Sequence, residues 1–222
     1  LMPPFAGQGM CSGLRDSIAL AWRLDAVLNG RLSEKVLDSY GPERSAHVQQ
    51  LIGFAIELGK VICITDPEVA AQRDRDMIAA QQQPGYAPPP PPRPQLGPGL
   101  WLDGAPGAGF LGIQSRIRRQ GREGLFDDVL GVHFAVIARN AETLEAISAQ
   151  NRAALQAQGA ILAHIGAGGI EDVDGRYKAW LDELDCAAVL CRPDFYVYGG
   201  ARDAAELNAL LDAWRNALDI TV

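Results

Sequence analysis

A proline-rich run divides the sequence into two parts with different hydrophobic patterns. Seven of the fourteen prolines lie between Pro84 and Pro94. Consecutive prolines cannot donate the hydrogen bonds of a helix or an inner strand, and they favour the extended polyproline II conformation. At about 3.1 Å per residue this run forms a semi-rigid strap of roughly 34 Å. A ligand for a signalling domain is one interpretation, but the sequence favours a linker, residues 84–95, between two folded parts.

The part before the linker, residues 1–83, shows only helical periodicity. Apolar residues cover most of the circumference of a helix predicted from Leu14 to Leu28, which ends at Asn29-Gly30. This pattern is typical of a helix buried in a larger body, with a thin polar edge formed by Arg15, Asp16, Arg23 and Asp25. Pro42 suits the first turn of a second long helix, and Asp66-Pro67 begins a third. Because no strand pattern accompanies these helices, we interpret residues 1–83 as part of a domain. The first residue is Leu1 and motifs begin at once, so we interpret the chain as a fragment whose beginning lies elsewhere.

After the linker the pattern changes to alternating strands and helices. The predicted order is β-α-β-α-β-β-α, which is that of a thioredoxin-like sandwich. The strands are predicted at 132–138, 160–165, 186–191 and 195–198, and the helices at 142–158, 175–184 and 204–218. The expected fold class is therefore α/β overall, with a helical segment followed by a thioredoxin-like α/β domain at 96–222. Arg139 to Glu142, where a thioredoxin carries its redox pair, contain no thiol, which argues against dithiol exchange.

Charge and cysteine content exclude several functional classes. The formal net charge of −7 argues against a nucleic-acid binder or a sensor of anionic membranes. No apolar run approaches the ~20 residues of a membrane span, and no secretory signal opens the chain. The four cysteines and three histidines are scattered, so we expect reduced cysteines, a cytoplasmic protein and no metal site. Cys186 and Cys191, five apart in one predicted strand, should lie on opposite faces.

Two further patterns have ordinary structural interpretations. Gly107 to Gly112 match Gly-x-Gly-x-x-Gly, but this sequence follows a loop rather than a strand, so we interpret it as loop glycine and not as a nucleotide site. Four arginines between Arg116 and Arg122 lack interleaved aromatic residues. They favour a solvated hairpin over an anion site.

The first residues of the chain indicate a binding function. Gly7 and Gly9 allow close approach of a large group, and a helix N-terminus follows. Free N–H groups and a dipole end of about +0.5 charge make such a terminus attractive to anions. On physical grounds a planar or anionic ligand lies near Gly9 to Ser12, while a glycine-rich turn into a core helix remains the alternative.

The same segment carries a resemblance to a known family. The pattern Pro3-Pro4-x-x-Gly7-Gln8-Gly9-x-x-x-Gly13-x-x-Asp16, continued by Leu20-Ala21-Trp22-Arg23-Leu24, resembles the segment after the second flavin-binding Gly-Asp motif of single-component FAD-dependent aromatic hydroxylases. The likeness continues through Leu37-Asp38-Ser39-Tyr40-x-x-Glu43-Arg44-x-x-His47. Later motifs resemble 3-(3-hydroxyphenyl)propionate hydroxylases: Leu125-x-Asp127-Asp128-x-x-Gly131-x-x-Phe134-Ala135-Val136-Ile137, Asp174-Gly175-Arg176-x-x-x-Trp180 and Arg192-Pro193-Asp194. The resemblance covers essentially the whole chain.

The resemblance implies a flavin monooxygenase. In that family FAD, reduced by NADH or NADPH, reacts with O2 to give a C4a-hydroperoxide that hydroxylates a phenol, here of the phenylpropanoid type. Residues 1–83 would be the carboxy-terminal helical part of the FAD-binding monooxygenase domain, whose amino-terminal half is missing. The fragment alone is then expected to be inactive.

The resemblance also assigns residues to the site. Cofactor-binding positions are Pro3, Gly7, Gln8, Gly9, Met10 and Cys11, and the backbone N–H groups of the last three match those that face the flavin C2 carbonyl. Pro4 matches the position whose carbonyl lines the phenol site. No residue here is an acid or a base, so no catalytic side chain is predicted.

Two other functions stay open at this point. The thioredoxin-like domain often contributes to subunit association in the resembled family, so the chain could be a non-catalytic assembly or dimerisation module, or part of a homo-oligomer. Polyketide-tailoring aromatic hydroxylases share the opening motif and are the second alternative.

Overall fold

The amino-terminal part consists of helices. The computed structural model describes residues 7–90 and 92–221. Helix α1 spans Gln8–Leu28, α2 spans Tyr40–Ile62 and α3 spans Pro67–Gln81, with a 3-10 helix at Glu34–Ser39 between α1 and α2. These are the three long helices expected from the sequence, and the Asp66 carboxylate caps α3 by accepting from the N–H groups of Glu68 and Val69. Helix α1, however, begins six residues earlier than predicted, at Gln8 instead of Leu14.

The proline-rich linker is extended. Residues 86–90 and 92–97 are neither helix nor strand, as the prolines require. The end of the linker lies on α2, where Gln95 and Gln50 exchange two hydrogen bonds and the N–H of Gly97 donates to the carbonyl of Glu43. The division into residues 1–83, 84–95 and 96–222 stays a prediction.

The carboxy-terminal part contains a four-stranded sheet. Its strands are β3 (Ala135–Ala138), β4 (Ile161–His164), β6 (Ala188–Cys191) and β7 (Val197–Ala201), and their order in the sheet is β4-β3-β6-β7. Strands β3 and β4 are parallel, whereas β3 with β6 and β6 with β7 are antiparallel. The connecting helices are α5 (Ala141–Glu145) and α6 (Ala149–Ala157) between β3 and β4, α7 (Arg176–Glu183) before β6, and α8 (Ala204–Ala217) after β7. The predicted α/β class and the order of elements around this sheet are confirmed.

One predicted helix is divided in two. The sequence predicts a continuous helix over 142–158, but the structure ends α5 at Glu145 and begins α6 at Ala149. The Ser148 hydroxyl accepts from the N–H of Asn151, and the Asn208 side chain accepts from the N–H of Ser148. These bonds give the backbone an alternative to the helical ladder at this point.

A second, small sheet packs against one face of the four-stranded sheet. Strands β1 (Arg116–Arg119) and β2 (Arg122–Leu125) form the predicted hairpin, β5 (Glu171–Asp172) pairs with β1, and the short helix α4 is Phe126–Leu130. Arg116 binds Asp174, and Arg118 binds Glu123 and Glu171. The side chains of Arg116 and Arg118 are 56% and 43% exposed, so the hairpin presents a solvated surface, as expected from the sequence.

The hydrophobic core lies on both faces of the four-stranded sheet. One cluster contains Trp22 and Ala26 of α1 together with Phe134 and Trp214, so the amino-terminal helices share a core with the carboxy-terminal sheet. The other cluster, around Ile117, Tyr177 and Trp180, lies under the small sheet.

The expected placement of two cysteines is wrong. Cys186 and Cys191 both belong to the second cluster instead of lying on opposite faces. Cys186 precedes β6 and follows Asp185, whose positive φ of 52° turns the chain, so the alternation within a strand does not extend to it.

Within the described ranges, no single helix is long and apolar enough to cross a membrane. Two consecutive helical segments, Glu34–Ile62 and Pro67–Gln81, are together long and apolar enough to do so, but the chain bends by 108° between them.

Candidate functional site

The first turn of α1 is the part of the described structure that carries the predicted binding residues. Gly7 precedes the helix with φ 65° and ψ 10°, a left-handed conformation that favours glycine. The first N–H groups of a helix, here those of Gln8, Gly9 and Met10, have no acceptor within the helix and can donate to a group outside it. In regular helical geometry the N–H of Cys11 faces the carbonyl of Gly7. Pro3 and Pro4 lie outside the described residues.

The described residues leave the surface around this turn uncovered. A Cβ atom added to Gly7 or Gly13 would meet no atom within 4 Å. The Met10 side chain is 74% exposed, and that of Leu14 is 64% exposed. A large, partly apolar group can therefore approach α1 along this face.

The second feature is a cluster of four buried charges, here called the Arg23 cluster: Arg23, Glu43, Arg192 and Asp194. The Glu43 carboxylate lies 2.7 Å from the guanidinium of Arg23 and 2.8 Å from that of Arg192. Asp194 forms a second ion pair with Arg192. All four side chains are 0–1% exposed. The cluster links α1 and α2 to the turn between β6 and β7, and its formal charges cancel.

Further hydrogen bonds satisfy the Arg23 cluster. The indole N–H of Trp22 donates to Asp194 at 3.0 Å, and Arg192 donates to the carbonyl of Leu100 at 2.8 Å. Burial lowers the pKa of Arg23, as does the charge of Arg192. Burial opposes the charged form of Asp194, but the attraction of Arg192 outweighs it and holds the pKa of that carboxyl below its usual value. Asp194 and the two arginines are therefore charged in the folded protein.

A second chain of contacts runs beside the cluster. Arg44 of α2 donates to Asp16 of α1 at 2.7 Å and to the hydroxyl of Tyr196 at 3.2 Å. The same hydroxyl lies 3.0 Å from Nε2 of His47. Burial, together with the positive charge of Arg44, lowers the pKa of His47 to about 4, so this imidazole is neutral near pH 7.

Arg23 was expected on the thin polar edge of α1, together with Arg15, Asp16 and Asp25, but it does not lie at the surface. The side chain is fully buried because Glu43 and Asp194 neutralise it there. Its importance could have been suspected from the motifs Trp22-Arg23, Glu43-Arg44 and Arg192-Pro193-Asp194, which belong to the family resemblance and contain all four charges of the cluster. Their convergence is visible only in the folded chain.

Other candidate chemistry finds little support in the structure. Gly107 to Gly112 lie in a loop, and the next element along the chain is strand β1 rather than a nucleotide-binding helix. Burial raises the pKa of Cys191 to about 12, and the Cys186 thiol donates to the carbonyl of Leu184. Such thiols are poor nucleophiles. In the described part of the chain, no group of three His, Cys, Asp or Glu side chains could hold a metal ion.

Comparison with protein families adds to this geometry. Residues 1–55 match the model of an FAD binding domain, and residues 109–217 match the model of the HcaD C-terminal domain. A probable NADH-specific resorcinol 4-hydroxylase from Rhodococcus jostii is 37% identical to this chain over 94% of its length. A 3-(3-hydroxy-phenyl)propionate/3-hydroxycinnamic acid hydroxylase from Mycolicibacterium gilvum is 34% identical over 87%. The chain is a relative of the FAD-dependent aromatic hydroxylases.

Solved structures of these hydroxylases share the fold. Aklavinone-11 hydroxylase, in a ternary complex with FAD and aklavinone, superimposes with a TM-score of 0.63 at 24% identity over 99% of this chain. The flavin-dependent monooxygenase PieE, in complex with FAD and substrate, gives a TM-score of 0.63 at 22% identity. The chain spans only 39% and 38% of the two hydroxylases from Rhodococcus and Mycolicibacterium, and 42% of aklavinone-11 hydroxylase.

Proposed function

We propose that this chain is the carboxy-terminal part of an FAD-dependent monooxygenase that hydroxylates a phenol bearing a substituent meta to its hydroxyl group. The names of the two hydroxylase relatives at 37% and 34% identity support this substrate class, since resorcinol and 3-(3-hydroxyphenyl)propionate are both meta-substituted phenols. The overall reaction converts Ar–H, O2, NADH and H⁺ into Ar–OH, NAD⁺ and H2O. NADH is the proposed reductant, with NADPH as the alternative.

The observation that carries the proposal is the open first turn of α1. This turn lies within the residues that match the FAD binding domain. It presents N–H groups that have no acceptor within the helix, a glycine in the left-handed region, and space that the described residues leave uncovered. These features fit the anionic edge of a reduced isoalloxazine. When bound, FAD would supply the activation of oxygen, which no side chain of this turn can perform.

The residues of the chain would bind and orient. Backbone N–H groups of Gly9, Met10 and Cys11 are proposed to face the flavin C2 carbonyl, with the Cys11 group shared with the helical ladder. Pro3, Gly7 and Gln8 complete the proposed cofactor contacts, and Pro4 is proposed to line the phenol site. Preorganised N–H dipoles stabilise negative charge without rearranging as it develops.

The wider organisation is proposed on the same basis. Residues 1–83 would complete an FAD-binding domain, residues 84–95 would link it to the second domain, and residues 96–222 would form that domain. A cytoplasmic location and association into a homo-oligomer remain predictions from the sequence.

The test uses the complete natural polypeptide that contains this chain. Purified protein should show the absorption of bound FAD, and it should oxidise NADH faster when resorcinol or 3-(3-hydroxyphenyl)propionate is added. Mass spectrometry should find a product heavier by one oxygen atom. Phenols without a meta substituent serve as the control. A purified protein without flavin and without phenol-dependent NADH oxidation would refute the proposal and favour an assembly module.

A further inference from the structure

We infer that the turn between β6 and β7, residues 192–196, is a positioning element for α1, the helix whose first turn faces the proposed flavin. This inference rests on the proposed function. It assigns to the carboxy-terminal part of the chain a role in holding the cofactor site, although that part carries no cysteine pair at the redox position of a thioredoxin.

The turn contacts α1 at two levels along the helix. Asp194 accepts from the indole N–H of Trp22 and lies 3.6 Å from the guanidinium of Arg23. Tyr196 reaches α1 through Arg44, which binds the Tyr196 hydroxyl on one side and Asp16 on the other. Two attachment points, about two helical turns apart, fix the direction of a helix as well as its position.

These contacts are directional, so they fix the orientation of α1 as well as hold it against the turn. Apolar side chains of similar volume can hold two elements together as strongly as a buried ion cluster, because burying charges costs much of what their attraction returns. Apolar contacts, however, tolerate small shifts between the elements. Each hydrogen bond within the Arg23 cluster requires a particular direction between donor and acceptor. An altered tilt of α1 would break several of these bonds at once and leave buried charges unpaired.

The length of α1 amplifies any shift at the attachment points. Gly9 lies thirteen residues before Trp22, which at 1.5 Å per residue is about 20 Å along the helix axis. A tilt of about 5° at Trp22 would move the first turn by roughly 1.7 Å over that length. Misplacement of about 1 Å can cost on the order of 10²-fold in rate when it disturbs the alignment of reacting groups.

The test compares Tyr196→Phe with Tyr198→Phe in the complete polypeptide. The first change removes the hydroxyl that binds Arg44 and His47 but keeps the ring in the core. The second is the control, because Tyr198 is also a buried tyrosine and packs in the cluster that contains Trp22, but within the described residues its hydroxyl forms no hydrogen bond that connects it to α1. Phenylalanine at either position keeps the ring, so the two variants differ in the bond to Arg44 and His47. Amide hydrogen exchange at residues 8–12, FAD affinity and product formed per NADH consumed are measured for both. Thermal melting reports on overall stability.

For Tyr196→Phe we expect exchange at residues 8–12 to be about three- to tenfold faster and FAD binding weaker by a similar factor, as for the loss of one buried hydrogen bond. Product per NADH should also fall. The control should match the wild type in all three. Asp16→Asn weakens the contact between Arg44 and α1 at a partly exposed site. This variant should reproduce the effect even if Tyr196→Phe does not fold.

Unchanged exchange and FAD affinity in both Tyr196→Phe and Asp16→Asn would overturn the inference. A uniform increase in exchange over the whole chain would overturn it too, since it would show general destabilisation. A wild-type protein that binds no FAD would refute the proposed function, while the exchange at residues 8–12 would still decide whether the turn positions α1.

Discussion

Replacing Glu43 by glutamine should be among the most destabilising conservative changes in this chain. The Glu43 carboxylate accepts from Arg23, from Arg192 and from the N–H of Leu100, and its side chain is fully buried. In Glu43→Gln the new amide would place an NH2 group where one oxygen now accepts from a guanidinium. The change would also leave the buried cluster with a net positive charge, since only Asp194 would balance two arginines.

The expected loss follows from these contacts. Breaking a buried ion pair by removing one partner costs about 3–5 kcal/mol, because the remaining charge stays buried without compensation. For a chain of this size, that corresponds to a fall in Tm of roughly 6–20 °C. Urea unfolding followed by circular dichroism measures the free energy of unfolding, provided that the slope with denaturant is unchanged.

Glu57→Gln is the matched control in the same helix. Glu57 also forms an ion pair, with Lys60, but its side chain is 69% exposed and that of the lysine is 64% exposed. An exposed pair three residues apart on a helix contributes less than about 0.5 kcal/mol. If Glu43→Gln lowered the free energy of unfolding no more than Glu57→Gln, the conclusion that Glu43 compensates two buried arginines would be refuted.

Three further predictions concern the site, the thiols and the pH dependence. Gly9→Val in the complete polypeptide should weaken FAD binding or lower hydroxylation by about 10²-fold. The valine side chain would hold the flavin away from the N–H groups, and losing one oriented N–H donor has this scale. A flavin titration with a coupling measurement checks this, and wild-type values for both would exclude the cofactor role of residues 7–11. The chain should show no activity in an insulin-reduction assay, because burial raises the pKa of both Cys186 and Cys191; turnover with a dithiol donor would contradict this. The folded state keeps His47 neutral down to about pH 4, while the unfolded chain protonates it near pH 6.5, so stability should decrease as pH falls between these values. Urea unfolding across this range should show a smaller decrease for His47→Gln, and an identical decrease would count against a buried neutral imidazole.

Local features of the chain were predictable from the sequence because they depend on neighbouring residues. Asp66 followed by proline begins α3, and the prolines before Pro94 keep the linker extended. Short apolar runs located the four strands of the large sheet, since each strand needs only its own residues to be recognised. The opening glycine motif pointed to the first turn of α1 for the same reason, although the helix itself starts earlier than its apolar pattern suggests. Gly9 to Cys11 belong to α1, but they precede the apolar stripe from which the helix was predicted.

The Arg23 cluster was decided only by the tertiary structure. Glu43 and Arg192 are 149 positions apart in the sequence, and Trp22 and Asp194 are 172 apart. No local pattern distinguishes a buried arginine from an exposed one, because burial becomes favourable only when carboxylates from distant segments meet it in the fold. The break between α5 and α6 has a similar origin, since Asn208 of α8 binds the N–H of Ser148 from another part of the chain. Periodicity along the chain therefore determined which helices and strands form, whereas the meeting of distant charges determined how α1 is held.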